Sequence, residues 1–353
     1  MLQRDNCNGR SDFKQRSCKD IRSIIMAVIE VKNLTKDYKV NKKGKGLGGA
    51  IKNLFVREKT IVHAVKDLSF TIEKGEIVAF IGPNGAGKST TVKMMSGILN
   101  PTSGQVLVNG KDVAKKRKEV VMDLGVVFGQ RTQLNWDLRL GESFELMKRI
   151  YQIPDERYKE NLKVMDDILG INEIIDIPVR QLSLGQRMRG DLVAAMLHSP
   201  SVLFLDEPTI GLDVDGKYAI RKFIKEINRV KGTTVILTTH DLGDIQELCE
   251  RLIIINNGEL MEDGPLQEVT ERIAPFKTLV VEFYDGEAGA HPKAELFYHE
   301  GNIAKYRFRK VDITAAQLIE EISSAKEIKD VSIEEASIDD IIRIAYHGSD
   351  EKI

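Results

Sequence analysis

Gly82-Pro83-Asn84-Gly85-Ala86-Gly87-Lys88-Ser89 fits the pattern G-x-x-x-x-G-K-[ST]. The chemistry of that spacing is the cradling of a phosphate chain. Its glycines let the backbone curl until successive N–H groups face an anion, and the helix that follows adds its positive dipole end. In such a loop Lys88 would reach the β- and γ-phosphates and the Ser89 hydroxyl would ligate Mg²⁺. The flanks agree with the motif. Residues 76–81 read as a buried strand leading in, and residues 90–95, from Thr90 onward, as a helix leading out. Nucleotide binding is the chemistry these residues predict.

Two further segments carry charge or anion-binding potential. Four apolar residues bury a strand that ends Phe204-Leu205-Asp206-Glu207, so both carboxylates emerge where the sheet ends. Asp206 would hold Mg²⁺ through water, and Glu207 would polarise a water that attacks the γ-phosphate. Leu182-Ser183-Leu184-Gly185-Gln186 precedes a helical run at 188–197. Ser183 and the N–H groups of that helix start would form a second anion-binding terminus. A serine-capped helix alone is ordinary structure; its place about twenty residues before Asp206 gives it weight.

The elements that must position these groups follow from periodicity. Residues 27–38 and 61–72 read as paired strands, 140–198 as mostly helical, and 202–205 and 233–237 as parallel-sheet strands alternating with helices at 214–230 and 241–250. A further strand at 251–255 closes in an Asn256-Asn257-Gly258 turn. From about 276 the character changes to short strands at 278–284 and 303–309, a helix at 314–324, a strand near 328–334 and a last helix at 337–346.

Length and composition bound the classes. The 353 residues suit about two domains, and 42% hydrophobic with 30% charged residues describe a soluble globular chain. Lys plus Arg number 52 against 53 Asp plus Glu, so no overall field recruits nucleic acid. Cys7, Cys18 and Cys249 form neither a disulfide framework nor a metal cluster. No apolar run approaches the ~20 residues that span a bilayer.

The motifs taken together resemble the ATP-binding subunit of ABC transporters, in particular the group of largely uncharacterised bacterial ATPases that drive export-type (ABC-2) permeases. In that family's order the chain carries a phosphate loop at 82–90, a glutamine loop at Gln130, a signature sequence at 182–186, an acidic strand at 202–207, a D-loop at Gly211-Leu212-Asp213 and a switch histidine at His240. The resemblance covers residues from about 27 to 265, and the stretch from Gly125 to Leu134 is similar to the export subgroup. One position departs from the family: its signature has glycine where this chain has Leu184, which bears on turnover and on packing against an opposite subunit.

The resemblance implies an α/β fold of the P-loop NTPase ABC type, with a mixed sheet core, a helical subdomain and a small C-terminal α+β appendage. It implies a Mg²⁺-dependent ATPase in which Gln130 senses Mg²⁺ and the attacking water, His240 hydrogen-bonds the γ-phosphate, and Tyr38 stacks on adenine. Ser183, Gly185 and Gln186, with Asp213, would complete the site on a second copy, so that a homodimer clasps two ATP molecules. The implied partner is an integral-membrane permease, with this subunit held peripherally at the cytoplasmic face of the membrane. Leu134, Trp136 and Leu138 would form a groove for a short permease helix. A second reading, a soluble ABC ATPase acting on nucleic acid or ribosomes, would bring coiled-coil insertions or a second nucleotide-binding domain; the sequence shows neither.

The domain reading is an N-terminal extension at 1–25, disordered or artefactual with Met26 as a start; an ATP-binding domain at 26–265, with a helical subdomain at about 131–198; and a regulatory or dimerisation domain at 276–353. The basic insertion at 39–60 suits a solvated loop or a contact with anionic lipid. Its residues 39–59 hold seven Lys or Arg against one acid, Glu58. Deleting 276–353 is expected to change either the oligomeric state or ATP turnover; unchanged values of both would defeat both roles.

Overall fold

The computed structural model describes residues 27–41, 59–129, 131–286 and 288–335. Gln130, the N-terminal extension, residues 42–58 of the basic insertion and the expected helix at 337–346 lie outside the described residues.

The chain opens with β1 (Ala27–Asn41), β2 (Lys59–Glu73), β3 (Ile77–Ile81), α1 (Lys88–Met95), β4 (Ser103–Val108), β5 (Lys111–Asp112), α2 (Arg117–Val121) and β6 (Leu124–Phe128). A helical stretch follows as α3 (Leu140–Ile150), α4 (Asp155–Leu169) and α5 (Leu184–Met196). Then come β7 (Val202–Asp206), α6 (Val214–Lys231), β8 (Thr234–Thr238), α7 (Leu242–Leu248), β9 (Arg251–Asn256), β10 (Glu259–Pro265) and α8 (Leu266–Ile273). The C-terminal elements are β11 (Phe276–Phe283), β12 (Ala294–Glu300), β13 (Ile303–Arg309), α9 (Ala315–Ala325) and β14 (Ile328–Glu335). Among the described residues the strand orders within the units are β2-β1-β4-β5, β8-β7-β6, β10-β9-β3 and β12-β13-β11-β14.

The chain clusters into two compact units. One takes the described parts of Met1–Val78 with Ser89–Thr238. Here β6, β7 and β8 run parallel, in a register that aligns Phe128, Asp206 and Thr238 at their C-terminal ends. Burial on both faces explains their near-continuous apolar sequences. Helix α6 starts on Asp213, whose carboxylate accepts from Gly216 N at 2.8 Å, and buries Ile220, Phe223, Ile224 and Ile227 at helical spacing. Strands β1 and β2 pair antiparallel, as expected from their alternation.

The other unit takes Ala79–Lys88 with the described part of Thr239–Ile353. The β9–β10 hairpin turns on Asn257 and Gly258, both at positive φ (49° and 82°), the geometry that an Asn-Gly pair tolerates best. In the C-terminal sheet, alternate residues Leu279, Val281 and Phe283 and their neighbours Ala304, Tyr306 and Phe308 form one core with Leu318 and Ile322 of α9. Strand β12 was not expected from sequence; of its residues only Ala294 is buried, so alternation leaves little signal.

One buried titratable group in the first unit stands apart from the motifs. His198 is 7% exposed, stacks on Tyr151 at 3.9 Å, and donates from Nε2 to the Leu124 carbonyl at 2.9 Å, while its Nδ1 is buried with no hydrogen-bond partner. Burial pushes its pKa down to about 4. The folded state therefore binds fewer protons than the unfolded one, and stability present above pH 6.5 is lost as pH falls toward 4. His198→Gln, which does not titrate, should gain about 2 kcal/mol on the wild type between pH 7 and pH 5 in urea unfolding; parallel curves for the two proteins would refute this.

Candidate functional site

The phosphate-loop sequence forms a turn that leads into α1. Gly85 and Gly87 have φ of 85° and 103°, values that side chains disfavour. Ala86 N donates to Pro83 O at 3.1 Å, and Gly258 N caps Ala86 O at 2.9 Å, so the β9–β10 turn braces the loop. Lys88 is buried, and its ammonium donates to the loop's own carbonyls, Gly82 O and Pro83 O (3.2 Å to the latter). Asn84, Gly85 and Ser89 are exposed, and Thr90 is half-buried.

Asp206 and Glu207 leave the end of β7. Thr238 Oγ1, in register on β8, donates to Asp206 Oδ1. Glu207 N donates to Thr238 O at 2.9 Å, and Glu207 O accepts from Ile210 N at 3.3 Å. Glu207 itself sits at φ 57°, a left-handed conformation that costs a non-glycine residue about 1 kcal/mol or more. The neighbouring strands hold it there. A residue that sequence reasoning did not single out completes the turn: Gly129, just past β6, donates its N–H to Asp206 O at 2.7 Å. A Cβ there would lie 2.3 Å from Glu207 O, so only glycine permits the approach.

Ser183, expected to precede a helix at 188–197, caps a helix that already starts at Leu184. It forms a reciprocal capping box: Gln186 N donates to Ser183 Oγ at 3.2 Å, and Ser183 N donates to Gln186 Oε1 at 2.9 Å. Ser183, Gly185, Gln186 and Asp213 line one cavity of about 560 Å³, so four of the expected residues are brought together within one unit. Leu184, at the position of departure from the family, has its Cδ2 3.1 Å from where a Gly211 Cβ would stand. Its side chain thus packs against the D-loop of its own chain.

His240 follows β8 and is exposed. The turn that carries it is pinned by Thr239, which accepts from Asp241 N at 2.9 Å and donates to Asp244 Oδ2 at 3.0 Å. Tyr38 is 39% exposed near the end of β1, with the Lys36 ammonium 5.5 Å from its ring centroid. The expected groove of Leu134, Trp136 and Leu138 needs correction: Leu134 is buried and Leu138 half-buried, and of the three only Trp136 stands out, 51% exposed.

Sequence reasoning also missed Asp191 on α5. It is 5% exposed and accepts from Thr132 Oγ1 at 2.9 Å and Gln133 N at 3.0 Å. Burial raises its pKa to about 6, against the hydrogen bonds from Gln133 and Thr132 and the attraction of Arg187. Its linkage runs opposite to that of His198: folded Asp191 holds its proton to higher pH than the unfolded group, so its contribution to stability falls as pH rises from about 4 to about 6. The available signal was an acid directly before the apolar stretch from Leu192 to Met196.

The close approach of Gly129 to Glu207 gives a direct test. Gly129→Ala should shift the Glu207 carbonyl and reduce ATP hydrolysis at least about tenfold while ATP affinity changes less than about threefold. Wild-type turnover in that variant would show that the turn tolerates displacement.

Residues 65–210 match the family model described as ABC transporter. The chain is 33% identical over 217 residues to the ABC transporter ATP-binding protein NatA of Bacillus subtilis, covering 62% of this chain and 88% of NatA. It is 32% identical to the linearmycin resistance ATP-binding protein LnrL of the same organism (61% of this chain, 68% of LnrL). It is 31% identical to the methionine import ATP-binding protein MetN of Geobacillus kaustophilus (70% and 74%). Among solved structures, a dimeric post-hydrolysis ATP-binding cassette bound to ADP and Pi superposes with a TM-score of 0.56 at 26% identity, covering 67% of this chain and 98% of that one. A sequence match at 33% identity over 88% of a relative's length, on a chain whose fold superposes on solved ATP-binding cassettes, makes this chain a member of the ABC transporter ATP-binding family, an ATPase of the P-loop class.

Proposed function

We propose that the chain is the ATP-hydrolysing subunit of an exporter, acting as a homodimer on a separate integral-membrane permease at the cytoplasmic face. Among the described residues, no helix is long and apolar enough to cross a membrane. Similarity to a resistance protein supports export, and the likeness of the stretch from Gly125 to Leu134 to export-type ATPases adds to it; similarity to an importer is the counterweight. One observation carries the catalytic reading: Glu207 is held in a costly left-handed conformation by bonds from two parallel strands, directly after a carboxylate fixed by Thr238.

In this reading Gly82, Pro83, Asn84, Gly85, Ala86 and Gly87 wrap the phosphates, and Lys88 exchanges its loop carbonyls for β- and γ-phosphate oxygens. Tyr38, 39% exposed, offers its ring to adenine. Ser89, Gln130 and Asp206 offer hard oxygen donors, which suits Mg²⁺, and Thr90 joins the loop's contacts to the nucleotide. Among the described residues, no group of three or more His, Cys, Asp or Glu is placed to hold a metal. When bound, the ion would neutralise charge developing on the phosphates.

Glu207 accepts a proton as water attacks the γ-phosphorus. The bond to the ADP oxygen breaks, and inorganic phosphate leaves. His240 donates a hydrogen bond to the γ-phosphate, and Gln130 orients the water. Ser183, Gly185, Gln186 and Asp213 face the nucleotide of the second subunit, with closure on ATP and reopening after hydrolysis. The domain divisions at 26–265 and 276–353 belong to the same proposal, the latter regulating or dimerising.

Glu207→Gln should lower vanadate-sensitive ATP hydrolysis by about 10²-fold or more and leave ATP binding intact. Undiminished turnover would remove the general-base assignment. Co-purification with ribosomes rather than membranes would overturn the transport reading.

A further inference from the structure

We propose that Asp191 is a positioning residue that ties the loop after β6 to the signature helix α5, so that a change at the Asp206–Glu207 turn reaches Ser183. The inference rests on the reading of Ser183 and Gly185 as phosphate contacts. Asp191 lies eight residues beyond Ser183 on α5, and it is buried beside Leu192, Val193, Ala194, Ala195 and Met196. A carboxylate in such company is costly unless it is bonded. Its bonds run to one segment. Thr132 Oγ1 and Gln133 N donate to its Oδ1, and Gln133 Nε2 donates to its main-chain carbonyl at 2.8 Å. Thr132 Oγ1 in turn accepts from Leu134 N at 3.1 Å.

Steric contact reinforces the bonds. A Cβ on Gly190 would stand 2.8 Å from Leu140 Cδ1 and 3.0 Å from Leu134 Cδ1, so the helix backbone rests directly on this loop. At the end of β6, Gly129 N donates to Asp206 O of the acidic turn at 2.7 Å, and Arg131 N folds back on Phe128 O at 2.9 Å. Residues on either side of Gln130 are thus bonded to the acidic turn on one side and to the signature helix on the other. Packed and hydrogen-bonded contacts of this kind are the physical carriers of coupling between sites.

The molecule carries its own reporter. Thr132, Trp136, Leu184, Arg187 and Asp191 line a cavity of about 430 Å³, and the Arg187 guanidinium lies 5.3 Å from the ring centroid of Trp136, the chain's one tryptophan. The other charged group lining it is Arg131. A shift of the loop against α5 would alter Trp136 emission.

The experiment compares the full-length wild type with Asp191→Ala, Asp191→Asn and Thr132→Ala. It measures the Kd for a fluorescent ATP analogue, kcat, the ATP-induced change in Trp136 emission, and thermal melting. Asp191→Ala should keep Kd within about twofold but lose kcat and the Trp136 response at least about tenfold, the effect of removing a charge-assisted acceptor. Asp191→Asn should recover most of both, because its amide oxygen still accepts from Gln133 N. Should Asp191→Ala fail to fold, Thr132→Ala carries the test, expected to weaken kcat and the Trp136 response while the carboxylate keeps its bond to Gln133 N.

The proposal is overturned by a wild-type Trp136 response in Asp191→Ala, by a wild-type Trp136 indifferent to ATP, or by an Asp191→Asn that loses Kd, kcat and melting temperature together with Asp191→Ala. A wild type that binds ATP and shifts Trp136 without hydrolysis would instead sink the catalytic reading, and the Trp136 comparison would still decide the link.

Discussion

Two main-chain hydrogen bonds just beyond a parallel sheet govern the acidic half of this protein: Gly129 N to Asp206 O, and Glu207 N to Thr238 O. Parallel strands bring their C-terminal ends to one edge, so the loops that leave β6, β7 and β8 start side by side at Phe128, Asp206 and Thr238. The bonds then turn adjacency into fixed geometry. They hold Glu207 at a positive φ that the residue would not choose, with the carboxylate of Asp206 held by the Thr238 hydroxyl. A backbone conformation that costs about 1 kcal/mol or more persists only where its surroundings over-determine it.

The signature segment applies the same economy of backbone groups at a helix end. The N-terminal amides of a helix lack internal partners, and Ser183 and Gln186 satisfy two of them reciprocally, which fixes where the helix starts and which way Gly185 faces. Leu184 fits because its own D-loop receives it: Gly211 has no side chain, and the Leu184 methyl fills that place. The side chain at the position of departure is thus accommodated within its own chain. The Lys88 ammonium shows the complementary case, a buried charge held by loop carbonyls.

Much of the core was legible in the sequence because burial on both faces leaves unbroken apolar runs, as in Val202-Leu203-Phe204-Leu205, and because Asn257-Gly258 names its own turn. The phosphate loop, Asp206, Glu207 and Ser183 could be singled out because each chemistry demands particular residue types at close spacing, whereas His240 was marked only by the family resemblance. Strand β12 escaped notice because one buried residue in seven makes no period. Leu134 read as a surface apolar residue, yet it lies under Gly190, a contact between segments more than fifty residues apart.

A loop of eight consecutive residues and the two carboxylates that end one strand can be read from the sequence because each lies within one short stretch. Tertiary structure alone decided how those groups are held: the intolerance of Gly129 for a side chain, the strained backbone of Glu207, and the burial of Asp191 against Thr132 and Gln133. Each of these depends on atoms far apart along the chain approaching within 3 Å or so. No local pattern of residue types carries that distance; packing creates it.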